Sequence, residues 1–313
     1  MTMTTPSTIA TVLKKGIGGL LLGSILILCL SSLPSFAQKR IQGDHAIPEG
    51  IIHIDLWDKV APPHDNGVDY SDLTLEDKRQ YAPQIHVALP AKKGDTPTKA
   101  VVICPGGGYA LLSPFHEGYG WSGLFTREGI AAIMVTYRMP YGIKEIPMED
   151  VLQAIELVRE HAQEWNIDPS QIGIMGFSAG GHLASSVATM APPELRPSFQ
   201  ILFYPVISSD PRWMHKGSFN NLLGEMASSS QREEYSTDRR VDSLTPPAIL
   251  LLSDDDRGVP PMNSILYYSA LKANGIPASL HIYPSGGHGW GDRMSFPYHE
   301  QMTAELTAWL RRL

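Results

Sequence analysis

Gly176, Phe177, Ser178, Ala179 and Gly180 stand between an apolar run of strand length, 171–175, and a helix-compatible stretch, 181–190. A serine in that setting sits on a sharp strand-to-helix turn. The turn needs glycine on either flank, because the backbone is strained and the neighbouring chains pack closely. The hydroxyl is thereby exposed at the head of a helix whose N-terminal amides can hold an oxyanion. The pattern is a nucleophile elbow, and it commits the surrounding chain to alternating strands and helices.

That alternation is visible along the sequence. Segments 51–56, 84–89, 100–104, 131–136, 172–175, 200–204, 248–252 and 279–283 have the length and the apolar, β-branched content of strands. Between the later ones, 148–165, 179–190 and 262–273 carry apolar residues at helical spacing, with Val151, Ile155 and Val158 marking one face. Strands separated by helices imply a mostly parallel sheet with helices on both faces. The early strands, with less between them, are expected to form an antiparallel edge. Asn166-Ile167-Asp168-Pro169-Ser170 reads as the turn that ends one helix, because a residue before proline leaves the helical region. Segment 208–245 breaks the rhythm, being polar and charged with short helical patterns at 221–226 and 230–235. It is expected to be a small cap inserted over the sheet, since structureless loops of that length are uncommon.

The first 37 residues read as a signal peptide. Lys14 and Lys15 precede an apolar run over 16–30, and Ser35-Phe36-Ala37 offers a cleavage pattern of small residues. Fifteen apolar residues fall short of the roughly 20 that a membrane-spanning helix needs. Cleavage after Ala37 would send one domain, 38–313, to the periplasm or the medium, with no stable membrane insertion. Loss of Lys14 and Lys15 takes the net charge from −7 to −9, which argues against nucleic acid as a partner. Of the two cysteines only Cys104 would remain. At the end of an apolar run it is expected to be a small buried hydrophobe.

A serine hydroxyl is a poor nucleophile at neutral pH. It needs a histidine to take its proton and a carboxylate to orient that histidine. After an elbow the expected order is serine, acid, histidine. Downstream of Ser178 the strand 248–252 runs into Asp254, Asp255 and Asp256, and a strand's carboxyl end is where an α/β sheet presents chemical groups. The residues alone leave the choice among the three aspartates open. His288 follows the last strand within Gly286-Gly287-His288-Gly289, a loop that leaves an imidazole accessible. His182, four residues past Ser178 on the same helix, is poorly placed to serve it from the substrate side. Upstream, Pro105-Gly106-Gly107-Gly108-Tyr109 directly follows a strand. Backbone amides there can approach a carbonyl oxygen, which is what an oxyanion hole requires, with Ala179 N–H as its other half. No closely spaced histidine and carboxylate cluster suggests a metal, and no organic cofactor is implied.

Together these four motifs resemble the α/β-hydrolase superfamily, and within it the hormone-sensitive-lipase-like and acetyl-xylan-esterase-like serine esterases. Ser218 to Gly224 and Thr245-Pro246-Pro247 look like the polysaccharide-degrading branch. One departure is Pro105, where the lipase pattern has a histidine before its glycines. The resemblance implies Ser178 as nucleophile, His288 as base and Asp256, set before Val259-Pro260, as the acid, with the amides of Gly107, Gly108 and Ala179 as the hole. It implies acetyl groups on xylan or a similar carbohydrate as substrate, with feruloyl esterase, general carboxylesterase and lipase as the alternatives. The polar segment 208–245 speaks against a long-chain lipase. A peptidase of this fold would be expected to carry a further propeller domain, and a non-catalytic carbohydrate-binding relative has no need of all the triad residues. Tyr109, Trp213 and Trp290, beside or within these loops and the cap, are candidate faces for packing a pyranose ring.

Overall fold

In the computed structural model, residues 47–91 and 95–313 are described, and the expected signal peptide and its cleavage site lie outside them. Runs of Val, Ile, Leu and Ala form eight strands: β1 (Ile52–Asp55), β2 (Gln84–Ala88), β3 (Thr98–Cys104), β4 (Ala131–Thr136), β5 (Ile167–Phe177), β6 (Gln200–Phe203), β7 (Ala248–Ser253) and β8 (Ala278–Tyr283). They make one sheet in the order β1-β2-β4-β3-β5-β6-β7-β8. Pairing from β4 through β8 is parallel, while β1 with β2 and β2 with β4 are antiparallel. The early strands thus form the antiparallel edge that their composition suggests.

Nine helices are described: α1 (Leu75–Tyr81), α2 (Ser122–Arg127), α3 (Ile146–Glu160), α4 (Ala162–Trp165), α5 (Ser178–Met190), α6 (Lys216–Leu223), α7 (Ser229–Glu234), α8 (Met262–Ala273) and α9 (His299–Leu310). Among the described residues no helix is long and apolar enough to cross a membrane. Alternate residues of each strand face opposite layers. Val102, Ile133, Ile174 and Leu250 pack with α3, α5 and α8 through Val151, Val158, Leu183, Val187 and Leu271. Val101, Met134, Met175 and Leu251 pack with α2 and α9 through Phe125, Met302 and Leu306. Because both faces are covered, the central strands need apolar residues at every position. Cys104 is fully buried in the first layer, and burial pushes its thiol pKa up, as expected of a packing residue.

Two boundaries differ from the sequence reading. The expected single helix over 148–165 is two, α3 and α4, and it ends because Asn166 takes the left-handed conformation at φ 54°. Asp168-Pro169-Ser170 therefore lies within β5, not in a turn. The register against β3 shifts between Thr98 and Ala100, and such an irregularity tolerates a proline that cannot donate to the ladder. In segment 208–245, α6 is N-capped by the His215 side chain and α7 by a Ser228–Gln231 capping box. Phe219 of α6 packs on Val206 and Val259, beside the strand ends.

Candidate active site

Because β3 and β5 to β8 run parallel, their carboxyl ends share one edge of the sheet, and each motif leaves from there. Ser178 opens α5 directly after β5 with φ 52°, a strained value for a residue with a side chain. The flanking glycines are set by contact. A Cβ on Gly176 would stand 2.2 Å from Gly180 O, and one on Gly180 would stand 2.2 Å from Cys104 O. Gly106 packs against Ser178 itself, since its Cβ would lie 3.1 Å from Ser178 Cβ. The glycine loop after β3 is thus drawn to the serine by close packing.

The histidine and one aspartate complete a continuous chain. His288 Nε2 lies 2.8 Å from Ser178 Oγ, and His288 Nδ1 lies 2.6 Å from Asp256 Oδ2. A carboxylate only accepts, so the Nδ1 proton points to Asp256. The Nε2 lone pair is then left to accept the serine hydroxyl. Asp256 Oδ1 accepts the amides of Gly258 at 2.8 Å and Val259 at 2.9 Å, which turns Oδ2 toward the imidazole. The other two aspartates do different work. Asp255 accepts the Gly287 amide at 2.8 Å, and exposed Asp254 donates its own amide to Tyr283 O.

In the glycine loop Gly107 and Gly108 have φ 134° and 67°. The turn is held by its carbonyls: Gly107 O accepts from Ala110 and Leu111, and Gly108 O accepts from Asn221 Nδ2 of α6. At the head of α5, the Ala179 amide is among the first-turn donors that have no intrahelical acceptor.

The aromatic candidates fare differently. Tyr109 is buried, its hydroxyl 2.9 Å from His182 Nδ1 and its ring against Tyr137, so it offers no face to a sugar. Trp290 is also buried, stacked on Phe296 at 3.9 Å and donating to Ser253 Oγ. Both expectations are corrected to core packing. Trp213 is half-buried, with the Arg212 guanidinium 5.7 Å from its ring centre and its carbonyl accepting from Asn263.

His182 is a packing histidine. Its Nε2 faces Tyr235 O at 2.7 Å, so that nitrogen carries the proton and Nδ1 accepts from Tyr109. The neutral ring donates to Tyr235 O and leaves Nδ1 free to accept the Tyr109 hydroxyl, and burial lowers its pKa to about 4. Between its ordinary 6.5 and that value the unfolded chain holds a proton that the folded chain does not. Its contribution to stability is therefore whole above pH 6.5 and drains away as pH falls toward 4. His182→Gln, which can keep both hydrogen bonds, is expected to flatten the fall in Tm between about pH 7 and 5. A melting series with the wild-type slope would contradict this.

Three further groups escaped the sequence reading. His215, the cap of α6, has its pKa lowered by burial and then by the charge of His288 nearby. Glu117, from the loop before α2, is buried with its carboxylate on the Gly106 amide and the Tyr204 hydroxyl. Tyr204, at the end of β6, sets its ring 4.8 Å from that of His288.

Strand order, elbow, glycine loop and ordered histidine agree with a comparison against known families, in which residues 101–292 match the α/β hydrolase fold. The chain belongs to the α/β-hydrolase family. An acetylxylan esterase of Xylanibacter ruminicola is 49% identical over 219 residues, covering 69% of this chain and 46% of that protein. Endo-1,4-beta-xylanase B of Butyrivibrio fibrisolvens is 32% identical over 62% of this chain and 33% of its own. The chain thus spans less than half the length of these two curated relatives. Among solved structures, an acetyl ester-xyloside bifunctional hydrolase from Caldicellulosiruptor lactoaceticus superposes with a TM-score of 0.71 at 33% identity, covering 83% of this chain and 96% of that one.

Proposed function

We propose that this α/β-hydrolase is a serine carboxylic ester hydrolase that removes acetyl groups from xylan or a similar plant polysaccharide. The observation that carries the reading is the unbroken Ser178–His288–Asp256 chain at 2.8 and 2.6 Å. His288 takes the Ser178 proton as Oγ attacks the ester carbonyl. The amides of Gly107, Gly108 and Ala179 hold the developing oxyanion, and Asp256 steadies the imidazolium. His288 then gives that proton to the departing sugar oxygen as the acyl C–O bond breaks, and the sugar leaves with a free hydroxyl. Water, deprotonated by His288, releases acetate from the acyl-serine.

Two features support a small acyl group on a sugar. Val206, whose amide donates to Ser178 O, packs with Phe219 and Val259, which sets buried apolar side chains close to the serine's backbone. The relatives named for acetylxylan and acetyl ester-xyloside hydrolysis point the same way. The basic and apolar pattern of residues 14–30, followed by Ser35-Phe36-Ala37, supports export with cleavage after Ala37.

Purified protein is expected to release acetate from acetylated xylo-oligosaccharides. Its kcat/KM on nitrophenyl esters should fall at least about fivefold from acetate to octanoate, because forcing extra methylenes against packed side chains costs about 1–3 kcal/mol. A maximum at eight carbons, or xylan fragments left intact, would transfer the assignment to a lipase or a general carboxylesterase.

A further inference from the structure

Glu117 is 3% exposed, and its carboxylate stands between the two loops that must bear on one substrate carbonyl. Oε2 accepts the Gly106 amide at 2.9 Å, in the loop that carries Gly107 and Gly108. Oε1 accepts the Tyr204 hydroxyl at 2.8 Å. Tyr204 Oη in turn accepts the Gly291 amide at 2.8 Å, three residues beyond His288, and its ring lies edge-on to the imidazole. The same loops close on each other elsewhere: the Asp292 amide donates to His116 O at 2.9 Å, and a Cβ on Gly291 would stand 2.1 Å from that oxygen. Tyr204 is held at φ 35°, a value that costs energy in any residue with a side chain.

A carboxylate in this place is expensive, and burial raises its pKa above the ordinary value. A glutamine of the same shape would cost less, but it cannot replace the connection. Both ends present protons, N–H from Gly106 and O–H from Tyr204, and Tyr204 must keep its own lone pair for Gly291. Only a group that accepts at both oxygens joins them. An amide would aim its NH₂ at one donor and leave that donor without an acceptor.

We infer that Glu117 is a positioning residue for turnover, fixing the glycine loop and the His288 loop at one spacing through Gly106 and through Tyr204 to Gly291. This rests on the esterase reading above. Displacing an oxyanion donor or a base by about 1 Å costs on the order of 10²-fold in rate.

The test uses Glu117→Gln and Tyr204→Phe, assayed on nitrophenyl acetate with active sites counted by fluorophosphonate titration. Glu117→Gln is expected to melt as a folded protein and to lose about 10²-fold in kcat per titrated site, with KM changed less than about threefold. Tyr204→Phe should lose at least about tenfold, and the double variant no more than Glu117→Gln alone, because the two act through one connection. A folded Glu117→Gln with kcat within threefold of wild type, or with its loss in KM alone, overturns the inference. If Glu117→Gln does not fold, Tyr204→Phe decides: a tenfold loss in kcat supports the connection and wild-type kcat refutes it. Failure of the esterase reading is separately visible, as a wild type that hydrolyses no ester. The rate of fluorophosphonate labelling at Ser178 would then still compare the variants.

Discussion

Ser178→Ala is expected to reduce ester hydrolysis by on the order of 10⁶-fold, to the background of the oxyanion donors and binding alone. The substitution removes one buried oxygen and keeps the Cβ that packs on Gly106, so the fold and Tm should change little. His288 would keep its bond to Asp256 at 2.6 Å and lose only its acceptor contact to the hydroxyl. Kinetics on nitrophenyl acetate and labelling by a fluorophosphonate probe check the result together, and both signals should vanish. A folded variant that retains more than a few per cent of wild-type turnover would remove Ser178 as the nucleophile. A wild type that takes no label would favour a non-catalytic carbohydrate-binding protein.

The elbow, the histidine loop and all eight strands could be read in the sequence for one physical reason. Parallel strands buried on both faces must be apolar at every position, and the loops at their carboxyl ends need glycines where backbones nearly touch. Where tertiary contacts outweigh local pattern, the reading slips. Pro169 looked like a helix terminator, yet β5 absorbs it at the shift in register. Helix α2 has six residues, too few to show a period, whereas α9 went unassigned although Met302, Leu306 and Leu310 stand at spacings of four. Side-chain direction was the least legible. Tyr109 follows two glycines of positive φ and itself has φ 58°, which turns its ring inward to His182 and Tyr137. Glu117 stood in Phe115-His116-Glu117 with no periodic or motif signal. Its partners Gly106 and Tyr204 lie 11 and 87 residues away along the chain, and only folding brings all three together.

The three adjacent aspartates give the sharpest discrimination of roles, because their side chains meet different partners at short range. Asp256→Asn is expected to cost on the order of 10⁴-fold in kcat, since an amide that donates toward Nδ1 favours the imidazole tautomer with its proton on Nε2, where it cannot accept from Ser178. Asp255→Asn keeps an amide oxygen able to accept the Gly287 N–H, so its effect should stay within about tenfold. Asp254 is exposed and its hydrogen bond to Tyr283 uses the backbone, so Asp254→Asn should be close to wild type. Because Asp256 also accepts the Gly258 and Val259 amides, a Tm comparison must accompany the kinetics. A folded Asp256→Asn with less than about tenfold loss, or equal losses at all three positions, would break the assignment. Large loss at 256 with small losses at 254 and 255 would place the orienting carboxylate on the one aspartate whose oxygen reaches His288.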